Sequence, residues 1–281
     1  MVEAGTTLPR VLILGYGRLG RAFCRRYHDA YQIRGIKRTA SPVSPCESVL
    51  MPIQSEALRP HLAWADVIIF CPSSGSRGNT GRGDESGVAD YRETYLGNMQ
   101  FVLARLDGRP VRVILIGSTG VYPRQSGSWD EARPIVMDND RQRVLWETEQ
   151  ALARSGAPYV ILRCGGLYGE ERDNFGWVRR RTELVSSELT DEPLALVHQD
   201  DVCGVIDAVI RRGAVNDIFN VRDDSALSRK RLFGRIAARA GIPIAHDGAP
   251  AATDRSIPND KVKRRLGYRF SAQSILDYLE A

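Results

Sequence analysis

The sequence predicts an α/β chain built on a doubly wound parallel sheet, with a small second lobe towards its C-terminus. Three observations carry that expectation. Val11 to Leu14 is an unbroken apolar run, the pattern of a strand buried on both faces of a parallel sheet. It leads directly into Gly15, Gly17 and Gly20 in G-x-G-x-x-G spacing, with Leu19, Ala22 and Phe23 at helical intervals behind them. Apolar strand-like runs then alternate with helix-like stretches through the first two thirds of the chain.

Each glycine has a task in a nucleotide-binding turn. Gly15 permits the tight turn, Gly17 lets the backbone approach a pyrophosphate, and Gly20 lets helix and strand pack closely. The helix N-terminus adds unpaired N–H groups and partial positive charge. Gly15, Tyr16, Gly17, Arg18, Leu19 and Gly20 are therefore the first candidate cofactor-binding residues. A βα turn that binds nothing is the plain alternative.

A second strand is expected at Tyr31 to Ile36, followed by Lys37 and Arg38. In such a fold an acid at this tip pairs with the 2′-hydroxyl of NAD, whereas arginine accommodates the 2′-phosphate of NADP. The tip holds two bases and no acid, so the reading favours NADP over NAD, with Arg18 in reach of the same place. Residues Ser41 to Pro52 read as a loop with a short strand, and Ala57 to Ala65 as a short helix. Asp66 to Cys71 reads as a buried strand whose end, Cys71, Pro72 and Ser73, meets a cofactor lying across the sheet. Gly75 to Ala89, with Arg77 and Arg82, reads as a flexible loop rather than a lid.

Further along, a helix is expected over Tyr91 to Leu106, a strand over Val111 to Ile116, and a helix from Asp140 to Ser155. A sixth strand follows at Tyr159 to Arg163. Later elements are Leu194 to Val197, a helix ending at Arg211, a strand at Ile218 to Val221, and helices at Ser228 to Ala240 and Lys261 to Leu266. The division read from this order is a nucleotide-binding domain at 1–169, with a returning segment around 194–222, and a substrate lobe drawn mainly from 170–281.

Bulk properties narrow the partners. The 281 residues are 43% hydrophobic and 26% charged, an ordinary globular composition. The net charge is +5, and the densest basic clusters, Arg179 to Arg181 and Lys261 to Arg265, lack the interleaved aromatics of a nucleic-acid site. No nucleic acid or membrane partner is expected; a small-molecule substrate is, and a homodimer is compatible with the chain. The start, Met1 to Pro9, lacks a signal-peptide pattern, so a cytoplasmic location is expected. Five scattered cysteines without C-x-x-C spacing argue against a disulfide framework or a zinc site.

Four segments together resemble the extended short-chain dehydrogenase/reductase superfamily, in particular its atypical NAD(P)-dependent epimerase/dehydratase-like branch. They are the glycine loop, Gly117-Ser-Thr-Gly-Val-Tyr122 with Asp130-Glu131, Leu162-Arg-Cys-Gly-Gly-Leu-Tyr-Gly169, and Val197-His-Gln-Asp-Asp-Val202. Phe219 to Asp223, Ile257 to Lys261 and Leu266 to Tyr268 also look like that group. The resemblance implies a Rossmann domain holding NADP (NADPH), or NAD, and a lobe closing over substrate. It extends the candidate cofactor set to Gly117, Cys164 and Gly165.

Catalysis in that superfamily rests on a Ser or Thr, a Tyr, and a Lys four residues after the Tyr. Ser118 stands at the hydroxyl position. The other two are missing: the usual helix register puts Arg141 at the tyrosine position and Leu145 at the lysine position, and this helix has neither residue type. The candidate catalytic set is therefore Ser118, Tyr122 and Arg141, an arginine being able to stabilise an oxyanion but not to donate a proton. Three readings follow. The first is an NAD(P)H-dependent oxidoreductase acting on a small carbonyl, hydroxyl or imine substrate. The second is an NADP-binding redox-responsive regulator or scaffold without turnover. The third is a nucleotide-sugar epimerase/dehydratase. His198 and Arg163 read as structural residues, and Asp130-Glu131 as a loop cap.

Overall fold

The computed structural model describes residues 7–40, 44–73, 85–172, 175–249, 254–270 and 275–280. Seven strands form one parallel sheet. They are β1 (Arg10–Leu14), β2 (Gln32–Lys37), β3 (Glu47–Leu50), β4 (Val67–Phe70), β5 (Arg112–Ser118), β6 (Tyr159–Cys164) and β7 (Asp217–Val221). Their order across the sheet is β7-β6-β5-β4-β1-β2-β3, so the chain winds outward from β1 in one direction and then from β4 in the other. The reversal falls between β1 and β4, where ligands of such sheets bind at the carboxyl ends of the strands. β1 registers Leu14 against Ile36 of β2 and Phe70 of β4, which aligns those three strand ends.

The chain divides into two compact units. The first comprises residues 1–117, 137–162 and 209–218; the second comprises 118–136, 163–208 and 219–281.

In the first unit, Leu12, Leu14, Ile68, Phe70, Val113 and Leu115 are buried in one apolar cluster with Leu62, Met99, Val102 and Leu152. Each such side chain contributes about 1.5–3 kcal/mol through burial, which is why these strands read as apolar runs. The helices of this unit are α1 (Arg18–Tyr27), α2 (Arg59–Trp64), α3 (Glu85–Arg92), α4 (Asn98–Leu103) and α5 (Asp140–Ala153). α5 begins at a capping box in which Asn139 accepts from the Gln142 amide and the Gln142 side chain returns the bond. Between α3 and α4, Glu93–Gly97 is a single π-helical turn. Two expectations change here. The helix expected from Tyr91 starts at Glu85, so residues 85–89 are helical rather than loop; the remainder of that loop, including Arg77 and Arg82, lies outside the described residues apart from its neighbours at 71–73. The second is that Cys24 of α1 and Cys46, just before β3, form a disulfide across a Cα separation of 6.3 Å. Sequence spacing hid that pair because β2 and its return bring the partners together in space.

The second unit contains α6 (Gln199–Arg212, of which residues 199–208 belong to it), α7 (Arg229–Ala240), α8 (Asp260–Leu266) and three two-stranded parallel pairs. Gly166–Tyr168 pairs with Leu196–His198, and Gly127–Ser128 with Arg255–Ser256. α7 is capped by Ser228, which accepts from the Arg231 amide, and ends on left-handed Gly241. Its buried face, Leu232, Phe233, Ile236 and Ala237, packs with Tyr168, Leu184 and Leu196. Among the described residues no helix is long and apolar enough to cross a membrane.

Candidate cofactor site

The turn after β1 is built on Gly15. Its φ is +90°, and a Cβ there would stand 2.5 Å from the Cys71 carbonyl oxygen. Glycine is required twice over, for the left-handed backbone and for the close approach of the chain leaving β4. Cys71 closes the contact, its Sγ donating to the Gly15 carbonyl at 3.3 Å. Gly15 and Tyr16 then donate their backbone N–H groups to the Ile36 carbonyl at 3.1 and 2.9 Å, tying the turn to the end of β2.

Tyr16 is buried between two further glycines. A Cβ on Gly20 of α1 would come within 2.9 Å of its ring, and one on Gly35 of β2 within 2.3 Å. The phenol is hydrogen-bonded to Ser44, and the Lys37 ammonium lies 5.6 Å from the ring centroid. Burial pushes this phenol up from its ordinary value. Gly17 behaves differently: a Cβ there would meet nothing nearer than the Gly15 carbonyl oxygen at 3.8 Å. α1 starts beside it with no side-chain cap and no acid in its first turn.

A cavity of about 620 Å³ lies at the ends of β1, β2 and β4. Gly15, Tyr16 and Gly17 line it on one strand end, Lys37, Arg38, Thr39 and Ala40 on the next, and Pro72 and Ser73 on the third. Such a volume falls in the range of about 300–1,000 Å³ usual for small-molecule sites. The open face of Gly17, the uncapped helix end and the neighbouring cations fit the pyrophosphate of a dinucleotide. The residues present therefore suit NAD(P).

Of the sequence-stated set, Gly15, Tyr16, Gly17, Lys37, Arg38, Pro72 and Ser73 line this cavity. Arg18 is exposed at the first position of α1, while Leu19 is buried and Gly20 packs against Tyr16 and Ile13. Cys71 acts by holding Gly15. Gly117 is half-buried near the end of β5, and Cys164 and Gly165 belong to the second unit, where Gly165 donates to the Val221 carbonyl at 2.9 Å. Sequence reasoning missed Arg21, Gln54, Glu93, Thr94 and Asn98, which also line the cavity. Arg21 was discoverable, since helix side chains lean towards the N-terminus and one turn after the glycines brings a long side chain back over them. Glu93 accepts a hydrogen bond from the Gln54 amide and folds over Gly97, where a Cβ would stand 2.6 Å from its Oε2.

The catalytic candidates are in contrasting settings. Ser118 is half-buried and its Oγ accepts from the Gly120 N–H at 3.0 Å. Arg141 is half-buried near the start of α5, with its guanidinium 5.4 Å from the Tyr91 ring centroid. Tyr122 is 1% exposed. Its hydroxyl donates to Asn220 Oδ1 at 2.8 Å, has the Asp130 carbonyl in reach at 3.2 Å, and accepts from Arg163 Nη1 at 2.8 Å. A phenol so enclosed is a structural group of the second unit, and proton donation to a substrate does not suit that setting. Burial raises it, partly offset by the Arg163 guanidinium.

Asp130, Glu131 and, elsewhere in this unit, His198 are held in internal hydrogen bonds too. Asp130 Oδ1 caps the amides of Ala132 and Arg133 at 3.0 and 2.9 Å, and Glu131 accepts from the Asn220 amide at 2.7 Å. His198 is buried, and its Nδ1 accepts from the Asp200 amide at 3.2 Å.

No family model matches the sequence. Protein YeeZ of Escherichia coli strain K12 is 25% identical over 278 residues, covering 94% of this chain and 96% of that protein. Among solved structures, a dTDP-glucose 4,6-dehydratase of Streptomyces venezuelae with bound NAD superimposes with a TM-score of 0.78 at 20% identity, over 96% of this chain and 94% of that one. The fold is that of the extended short-chain dehydrogenase/reductases. A UDP-glucuronic acid 4-epimerase of Bacillus cereus in complex with NAD has the same extended dehydrogenase fold, with a TM-score of 0.78 at 16% identity over 97% of both chains.

Proposed function

We propose that this chain is an NADP-dependent oxidoreductase that reduces a small carbonyl or imine, or oxidises the corresponding alcohol or amine. The single observation that carries the cofactor choice is the β2 side of the cavity. Lys37, Arg38 and Arg21 line it, and Lys37-Arg38-Thr39-Ala40 offers no carboxylate to a 2′-hydroxyl. Guanidinium groups keep their charge and bind phosphate through several donors, so they suit a 2′-phosphate. Structures of this fold with bound NAD support a nicotinamide dinucleotide as the cofactor, and the β1–β4 switch point is where sheets of this kind take such a ligand.

The bound cofactor would supply or accept a hydride; the protein's task is binding, orientation and proton handling. Gly17 and the N-terminus of α1 would hold the pyrophosphate, and the basic side chains would hold the 2′-phosphate. Ser118 accepts the Gly120 N–H, which leaves its own hydroxyl hydrogen to donate to a substrate oxygen. Calorimetric titration with NADPH and NADH tests the cofactor choice. Arg38→Ala is expected to weaken NADPH about tenfold, the loss of one charge-assisted hydrogen bond, and to leave NADH nearly unchanged. Equal weakening of both would refute the 2′-phosphate assignment. Loss of NADPH absorbance over a panel of aldehydes, ketones and imines tests the reaction; tight NADPH binding without turnover on any of them would leave a binding protein in its place.

A further inference from the structure

A covalent cross-link stands beside the cofactor cavity. Cys24 is on the buried face of α1, one turn after Arg21, which lines the cavity. Cys46 lies on the return from β2 to β3, after Lys37, Arg38, Thr39 and Ala40, which line it too. The Cys24–Cys46 bond therefore ties the helix to the strand return across 22 positions of chain, and that span carries the β2 side of the site.

Ser44 connects this bond to the cavity wall. Its Oγ lies 3.4 Å from Cys24 Sγ, is hydrogen-bonded to the Tyr16 phenol, and accepts from the Cys46 amide at 3.3 Å. A disulfide sulfur has no hydrogen to give, so the single Ser44 hydrogen goes to Cys24 Sγ. Tyr16 then donates its own, and together with the Cys46 amide it fills both lone pairs of Ser44. Tyr16 lines the cavity and is seated on Gly20 and Gly35. The cross-link thus fixes Cys46, Cys46 fixes Ser44, and Ser44 holds the ring that forms the wall.

We propose that the Cys24–Cys46 bond is a redox latch on the cofactor cavity, closed in the form that binds NADPH tightly and opened by a dithiol reductant. The proposal rests on the NADP reading above. Cys24 is fully buried and Cys46 half-buried, so the reductant meets Cys46 first. A thiolate of the dithiol attacks Cys46 Sγ, and Cys24 leaves as a thiolate that accepts the Ser44 hydrogen bond and then takes up a proton. The second thiol of the reductant, as its thiolate, attacks the reductant's own sulfur in the mixed disulfide. Cys46 is released and protonated in turn. Two electrons and two protons have passed to the protein, and the dithiol ends as a cyclic disulfide. The return from β2 regains the freedom that the cross-link removed. NADPH must then order Tyr16 and the Lys37-to-Ala40 rim as it binds, which lowers its affinity. Cys71, Cys164 and Cys203 form no disulfide, so the dithiol has one bond to act on.

The test is calorimetric titration of the full chain with NADPH and NADH, before and after reduction with dithiothreitol. A thiol count on the denatured chain should give three before reduction and five after; five before reduction would overturn the proposal at the outset. Reduction is expected to weaken NADPH about tenfold, and NADH, which lacks the phosphate held by the rim, about threefold or less. Cys46→Ser should match reduced wild type and ignore the reductant. Ser44→Ala keeps the cross-link but cuts its connection to Tyr16, so it should bind NADPH more weakly while oxidised and lose most of the difference between the two states. A disulfide that only stabilises the fold would lower the urea midpoint in Cys46→Ser and leave NADPH affinity in both variants as in oxidised wild type; that result would overturn the latch. Equal NADPH affinity of wild type before and after reduction would do the same, with the cofactor reading intact. A wild type that binds neither nucleotide in either state would remove that reading and the latch with it.

Discussion

Two places in the molecule use a tyrosine enclosed by glycine or polar neighbours, and they serve opposite ends. Around Tyr16 the enclosure leaves one side open: the ring is seated on Gly20 and Gly35, while the cavity beside it is bordered by cations and the bare face of Gly17. Around Tyr122 the enclosure is complete, with the hydroxyl, Asn220, Arg163, Asp130 and Glu131 bonded to one another or to backbone. The difference is informative because both residues stand in segments that the sequence alone makes equally suggestive. A polar group that has spent its hydrogen-bonding capacity internally holds structure; one that borders uncommitted donors and open volume binds.

The largest effect that would test this contrast is at the turn itself. Gly15→Ala forces a side chain into a left-handed backbone and against the Cys71 carbonyl, and is expected to cost about 4 kcal/mol in urea unfolding by adding strain to overpacking. NADPH affinity should fall with it. Next comes the closed region. Asn220→Ala strips partners from the Tyr122 hydroxyl and from the Trp129 and Pro258 carbonyls. It should cost about 3 kcal/mol, the penalty of orphaned buried groups, with NADPH binding retained; a loss of binding without a loss of stability would reverse the roles assigned to the two regions. A smaller effect is expected at the open rim. Raising salt should weaken NADPH binding and scarcely touch the stability of wild type, since exposed cations are screened and buried networks are not.

The smallest effect is at the opposite end of the central strands, where β1 begins. Arg10 and Asp66 pair there at 2.7 Å while both remain well exposed, and the guanidinium holds the Asp66 carboxyl below its ordinary value. A depressed carboxyl stabilises the folded state above its unfolded pKa, and the contribution fades as pH falls through the folded one. Asp66→Asn should therefore lower the melting temperature slightly at neutral pH and not at all in strong acid. An effect there as large as that of Asn220→Ala would contradict the weakness expected of an exposed pair.

How much of this was legible in the chain depends on range. β1, β4 and α5 were readable because burial on two faces, or a helical period between a cap and a turn, is written in consecutive residues. Gly15, Gly17, Lys37 and Arg38 were readable for the same reason: the turn and the strand tip are local. Tyr122 misled because its partners Arg163 and Asn220 lie 41 and 98 positions away. Arg21 and Glu93 escaped because lining a cavity depends on which way a helix faces, and the π turn that orients Glu93 has no simple sequence signature. The Cys24–Cys46 bond escaped because its two halves come near through the pairing of β2 with both β1 and β3, which consecutive residues do not show.

The seat of Tyr16 has a consequence for how sequences of this kind can diverge. With ring carbons 2.3 Å from where a Cβ on residue 35 would stand, positions 16 and 35 cannot vary separately. Enlarging residue 35 alone displaces the aromatic ring into the nucleotide turn; shrinking residue 16 alone opens a void under it. A lineage can leave this pairing only through a double change, so the two positions, on different elements, should be inherited as a unit.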